Sequence, residues 1–261
     1  MTKDLDSARS AESTARSAGS TAEKNIDELR AIAEAGAQQL GPDATAEELL
    51  RWTAQTFGAD FVIAANMQDA VLIDVAKKAI DPAAIDDQRL KALFLDTGYH
   101  FAETIGTRDA VTDVYDLELI NVTPEQTVEQ QDALVGKNLF ASDPGECCRL
   151  RKVVPLKGSL APFSAWVTGI RRVESPTRAE APLISFDEGF GLVKINPLAA
   201  WTDEQFQDYI DAHGVIVNPL VDEGYPSIGC EPCTVKPKAG EDPRSGRWAG
   251  RTKTECGLHA S

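Results

Sequence analysis

Five cysteines fall into three groups along the 261-residue chain: an adjacent pair, Cys147-Cys148, a Cys-x-x-Cys at Cys230 and Cys233, and a single Cys256 near the end. Two pairs that supply four thiolates to one centre are the natural reading of the first four. A tetrahedral zinc site is usually built from two Cys-x-x-Cys knuckles. Cys147-Cys148 suits that geometry poorly, because neighbouring residues point in different directions. An iron–sulfur cubane offers separate iron corners, which adjacent side chains can reach. Zinc, a cluster and disulfides are all compatible with the composition. The adjacent pair favours the cluster, since a vicinal disulfide is strained and a cytosol is reducing.

Cys256 stands apart, in Lys253-Thr254-Glu255-Cys256-Gly257-Leu258-His259. The thiolate is the nucleophilic form of cysteine, and nearby cations favour it. Arg251, Lys253 and His259 are close in sequence. Over residues 236–261, Lys236, Lys238, Arg244, Arg247, Arg251 and Lys253 outnumber Glu241, Asp242 and Glu255. This basic end belongs to a chain of net charge −15, so a local anion is the expected partner of the tail. The other two histidines carry less. His213 reads as a helix-terminal residue, and His100 follows a strand end, where ligand contact is open to it.

The overall acidity argues against a nucleic-acid or anionic-membrane binder, because phosphate-rich partners need a basic surface. Hydrophobic residues at 43% and charged residues at 26% are ordinary for a soluble globular chain. No apolar run approaches the ~20 residues of a membrane span. Residues 1–24 lack the apolar core of a secretory signal and read as a disordered tail. The expected setting is cytoplasmic.

Strand and helix signals alternate at short spacing. Helix is expected over 26–40, from the Thr45-x-x-Glu48 capping box to Phe57, over 69–80, 99–112, from Thr123-Pro124 onward, and from the Thr202 cap to about His213. Short apolar runs at 61–65, 92–95, 116–122 and 166–169 read as strands. The pattern predicts an α/β fold, a parallel sheet flanked by helices, over residues 25–220. Residues 221–261 are dense in Gly and Pro. They predict an irregular cysteine-rich segment held by something other than β ladders, with a mobile end, as part of the same domain.

Several of these runs together resemble a known family. Glu146-Cys147-Cys148-Arg149-Leu150-Arg151-Lys152-Val153-Val154-Pro155-Leu156 is similar to the Cys-Cys-x-x-Arg-Lys-x-x-Pro-Leu motif of assimilatory adenylyl-sulfate (APS) reductases. Gly224–Thr234, Arg244–Trp248, Lys253–His259 and Leu95–Phe101 match further motifs in the same order. The resemblance covers roughly residues 45–259, and the Asn66-Met67-Gln68-Asp69-Ala70-Val71-Leu72 run resembles the actinobacterial members. It implies an adenine nucleotide α-hydrolase-like sheet and reduction of adenosine 5′-phosphosulfate to sulfite and AMP, in sulfate assimilation and cysteine biosynthesis. It also implies a [4Fe-4S] cluster on Cys147, Cys148, Cys230 and Cys233. Cys256 would take the sulfonate as S-sulfocysteine, and an external thioredoxin would release sulfite.

The same resemblance assigns substrate contacts to Lys152, Arg171, Arg172, Arg244, Arg247, Trp248, His259, Asp96 and Thr97. Arginine is suited to planar bidentate contact with the substrate's oxyanions. Asp96 would repel the extra 3′-phosphate of the related nucleotide PAPS. One departure is Ala65, where the family usually has serine, so a hydroxyl donor to the phosphosulfate is missing. Two other functions are compatible with parts of the pattern: a PAPS reductase, and a nucleotide-binding iron–sulfur redox sensor. A homo-oligomer is left open.

Overall fold

The computed structural model describes residues 25–250 together with Lys253, Glu255, Gly257 and Leu258. The tail expected over 1–24 lies outside the described residues. Two helices lead in, α1 (Ile26–Leu40) and α2 (Ala46–Phe57). The Thr45 hydroxyl accepts from Glu48 N–H (3.2 Å) and the Glu48 carboxylate accepts from Thr45 N–H (2.8 Å), the reciprocal cap read from the sequence. Gly36 lets the helices approach: a Cβ there would lie 2.3 Å from the Trp52 ring.

The sheet is built from β1 (Phe61–Ala64), β2 (Lys91–Leu95), β3 (Glu118–Val122), β4 (Ala165–Thr168), β5 (Ile184–Asp187) and β6 (Leu192–Ile195), ordered β3-β2-β1-β4-β6-β5. All pairs are parallel except β5 with β6. The expected parallel sheet flanked by helices is therefore met over its first four strands. The β5–β6 hairpin was not anticipated and makes the sheet mixed. Side chains alternate between two faces along each strand. Phe61, Ile63, Ala92, Phe94, Ala165 and Val167 join one core with residues of α1, α2 and α3 (Val71–Ala79). Val62, Leu93 and Trp166 join a second core with Leu156 and Leu160.

Two helix starts differ from expectation. The helix after β2, α4, spans Ala102–Val114 rather than beginning at residue 99. Asp96 Oδ1 accepts from Gly98 N–H and Thr97 Oγ1 from Tyr99 N–H, so side chains compete for the amides that a helix would use. Gly98 also has φ +73°, a left-handed position. α5 spans Val128–Val135 and is capped by Thr127 and Gln130, so Thr123 is not its cap. After α6 (Leu139–Ser142), α7 (Pro144–Cys148) runs through a π-helical turn, Arg149–Val153, into α8 (Val154–Leu160). α9 (Asp203–His213) carries the predicted Thr202 cap. Beyond it, the described residues form only a short 3₁₀ turn and isolated bridges, the irregular segment expected.

Candidate active site

The topology changes direction beside β1: β2 and β3 are added on one side, β4 and the hairpin on the other. The carboxyl ends of strands at such a switch form a crevice suited to ligands. Here it is a cavity of about 510 Å³, lined by Ala65, Asn66 and Asp69 after β1, Thr97 after β2, and Gly169 and Arg171 after β4. The loop after β1 is pinned to the C-terminal segment. Asn218 Nδ2 donates to the Met67 carbonyl (3.2 Å), and Gln68 Oε1 accepts from Ile228 N–H (3.0 Å). Ala65 lines this cavity with no hydroxyl, and Asn66 Oδ1 is turned back onto Gln68 N–H (3.0 Å).

A second, smaller cavity adjoins it. Cys147, Cys148, Cys230 and Cys233 all line this space, as thiols rather than disulfides. The two pairs come from α7 and from the turn Glu231–Cys233, so the fold unites what the sequence separates. Burial and the three neighbouring cysteines push the Cys147 thiol up to about 12. Burial and Cys230 raise Cys233, against the opposing influence of Lys152 and Arg247. Among the described residues, no group of three or more His, Cys, Asp or Glu side chains is arranged to hold a metal ion. The indole N–H of Trp248, buried on the wall of the thiol cavity, has no hydrogen-bond acceptor.

Thr97, Lys152 and Trp248 line both cavities. Thr97 Oγ1 lies 3.3 Å from Cys230 Sγ. The buried Arg151 fixes the same turn: its Nε donates to the Thr97 carbonyl (2.5 Å) and its Nη1 to Gln131 Oε1 (3.0 Å). Arg151 and Lys152 both lie in the π-helical turn, a local widening common at functional sites. Trp248 has φ +50°, which is strained for a bulky side chain. It is held by a short ribbon, with Trp248 N–H on the Cys233 carbonyl and Val235 N–H on the Gly246 carbonyl. Arg247 passes over Gly229, where a Cβ would lie 2.1 Å from its Nη2.

Of the residues the resemblance selected, Lys152, Arg171, Arg244, Arg247, Trp248 and Thr97 line the larger cavity. Two do not. Arg172 turns its Nε to the Ala181 carbonyl (2.9 Å). Asp96 caps the Gly98 turn and faces Arg108. Cys256 and His259 lie outside the described residues, although Glu255 and Leu258, on either side of Cys256, line the cavity. His100 lines it too, with Nε2 on the Leu95 carbonyl (2.7 Å), and burial lowers its pKa. Asp69, Glu174, Arg178 and Glu255 are lining residues that sequence reasoning missed. Asp69 and Glu174 have local partners, Val71 and the flanking Arg171 and Arg178, whereas the pairing of Arg178 with Glu255 spans 77 positions and only the fold reveals it.

Asp69 gives a pH test. Burial pushes its carboxyl up to about 6, despite the Val71 N–H that it accepts at 3.0 Å. A carboxyl raised in the fold favours the neutral form. Its stability contribution is complete below the ordinary value of 3.8 and is lost as pH rises through about 6. Asp69→Asn is therefore expected to raise Tm over the parent at about pH 7.5, by about 1–2 kcal/mol or a few degrees. The advantage should shrink by about pH 5. Thermal melts at both pH values check it; an equal difference at both would show that Asp69 does not titrate in this range.

The profile of the phosphoadenosine phosphosulfate reductase domain matches residues 60–236, and the chain belongs to that family. Adenosine 5′-phosphosulfate reductase of Mycobacteroides abscessus is 69% identical over 241 residues, 92% of this chain and 98% of that protein. Adenosine 5′-phosphosulfate reductase of Mycobacterium tuberculosis is 57% identical over 260 residues, 93% and 99% of the two chains. The crystal structure of phosphoadenylyl-sulfate reductase from Candida auris, a phosphate complex, superimposes with a TM-score of 0.63 at 27% identity. It spans 84% of this chain and 100% of that one.

Proposed function

We propose that this protein reduces adenosine 5′-phosphosulfate to sulfite and AMP in sulfate assimilation, with Cys256 as nucleophile and thioredoxin as reductant. One observation carries the reading: the cation-lined crevice and the four-thiol cavity share a wall made of Thr97, Lys152 and Trp248. The nucleotide enters the crevice at the carboxyl ends of β1, β2 and β4. Lys152, Arg244 and Arg247 supply positive charge to the phosphosulfate, and Arg171 extends that wall. The Cys256 thiolate attacks the sulfate sulfur, and the bond from sulfur to the bridging oxygen breaks. AMP leaves with that electron pair, stabilised by the cations as charge develops. Sulfonate remains on Cys256 as S-sulfocysteine. A thioredoxin thiolate attacks Sγ of Cys256 and expels sulfite. The second thioredoxin thiol resolves the mixed disulfide, so one dithiol supplies both electrons.

We assign a [4Fe-4S] cluster to the four cysteines because they line one cavity, although no three of them are placed to hold a single metal ion. Burial and the neighbouring cysteines make the Cys147 and Cys233 thiols hard to ionise, which a polycationic iron core would reverse. A sulfur-rich anion held there would offer the unpartnered Trp248 N–H an acceptor. Bound there, the cluster would supply a fixed field beside Lys152 rather than net electrons. The reducing conditions that this chemistry needs fit a cytoplasmic setting. Among the described residues, no helix is long and apolar enough to cross a membrane.

A 3′-phosphorylated substrate is the second reading, favoured by the likeness to the Candida auris structure. Arg178, a further basic side chain of the cavity, is held between Glu174 and Glu255, so a 3′-phosphate there would meet carboxylates beside the cation. The expected outcome is a kcat/KM for APS at least about tenfold above that for PAPS, about 1.4 kcal/mol. Sulfite release from each nucleotide, with and without thioredoxin, measures it. Equal values would favour the second reading, and thioredoxin-independent turnover would remove the reductant assignment.

A further inference from the structure

The crevice contains a carboxylate that an anion site would be expected to exclude. Glu255 lines it and is gripped from one wall by Arg178, whose Nε reaches Oε1 at 3.1 Å and whose Nη2 reaches Oε2 at 3.2 Å. Arg244 donates to Oε2 at 3.2 Å, and the Thr177 hydroxyl donates to Oε1 at 3.1 Å. Arg178, Arg244 and Glu255 are only 12%, 16% and 18% exposed, so solvent screens this grip little. Burial alone would raise the Glu255 carboxyl; Arg178 first and then Arg244 outweigh it and hold it low and ionised.

The grip continues into the scaffold. Arg178 also pairs with Glu174, Glu174 lies 3.7 Å from Arg171, and Arg171 reaches Asp203 at the start of α9 at 2.8 Å. On the other side of residue 256, Gly257 takes φ +85° and Leu258 packs on the second core. The described neighbours of Cys256 are thus placed by ion pairs at Glu255 and by packing at Leu258. Matching Arg178 and Arg244 with a carboxylate weakens the crevice's attraction for an anion. That cost is intelligible if the ion pairs hold the backbone from which Cys256 projects.

We propose that Glu255 is a positioning residue for Cys256: its carboxylate, clamped by Arg178 and Arg244 at the crevice lining, fixes the chain next to the nucleophile. This rests on the reading of Cys256 as the nucleophile. A thiol misplaced by about 1 Å loses on the order of 10²-fold in rate without any loss of ligand affinity.

The test uses the full-length holoenzyme without thioredoxin. Intact-mass spectrometry follows single-turnover sulfonation of Cys256 by APS, and calorimetry measures AMP binding. Glu255→Gln keeps the shape but turns an amide toward guanidinium donors. It is expected to sulfonate at least about 30-fold more slowly, with AMP affinity equal to the parent's or higher, since Arg244 is released to the anion. Glu255→Asp, which keeps the charge, should recover part of the rate. Arg178→Lys cannot form the fork and should be slow as well. The double variant, Arg178→Lys with Glu255→Gln, should be no slower than the worse single one, because both act through one contact. Three results would overturn the proposal: Glu255→Gln within threefold of the parent rate, AMP affinity falling in step with the rate, or additive losses in the double variant. A parent that forms no sulfonate would instead overturn the nucleophile assignment on which the proposal stands.

Discussion

Replacing Cys256 with serine is expected to lower sulfite formation by at least about 10³-fold while AMP still binds within about threefold of the parent. A thiol beside cations is partly ionised at neutral pH, whereas a serine hydroxyl is not. The second step fails as well. A thiol can attack the sulfur of S-sulfocysteine and expel sulfite, but an O-sulfonated serine offers no such sulfur. The crevice walls would keep Arg171, held by Glu174 and Asp203, and the loop after β1, held by Asn218 and Ile228. Retention of a tenth of the parent rate would remove the nucleophile assignment. Loss of AMP binding would show that residue 256 builds the nucleotide crevice instead.

The parts of this fold that were legible in the sequence are those with local causes. Thr45 with Glu48 and Thr202 with Gln205 announce helix starts because the capping bonds span three residues. The apolar runs Phe61–Ala64 and Ala165–Thr168 announce strands covered on both faces. The start of α4 was misread because the bonds of Asp96 and Thr97 to backbone amides are as local as a helix cap but oppose the helix. Motif order located the site, and motif order cannot fix side-chain direction. Arg171 and Arg172 are neighbours at the end of β4, yet one enters the crevice and the other turns to the Ala181 carbonyl. Asp96 and Thr97 divide in the same way: Asp96 faces Arg108 and Thr97 faces Cys230. The clamp on Glu255 was invisible for another reason. Its arginine lies 77 positions away, and neither partner has a spacing that marks it.

Cys230→Ser is expected to lose most of its iron and to loosen the segment after α9. That segment has no helix beyond Glu231–Cys233 among its described residues, and its ribbon rests on the Cys233 and Gly246 carbonyls. Trp248, at φ +50° on the wall of the thiol cavity, is also stacked by Arg247 and Lys253. If the four cysteines hold a cluster, its binding energy is folding energy for this stretch, and removing one ligand should cost at least about 2 kcal/mol. The parent should be brown, with broad visible absorption and iron in proportion to chain; the variant should be pale. Proteases should cut it between residues 214 and 250, where the parent resists. Thr97→Val is the comparison. It removes only the hydroxyl 3.3 Å from Cys230 Sγ, so iron should stay and stability should fall by about 1 kcal/mol. Together with Lys152 on the shared wall, that small change would also alter the field at the crevice, which the Cys230 variant cannot isolate. Iron content in Cys230→Ser equal to the parent's would show that Cys230 is not a ligand. A colourless parent that carries zinc would replace the cluster with the tetrahedral site that the cysteine pairs first left open.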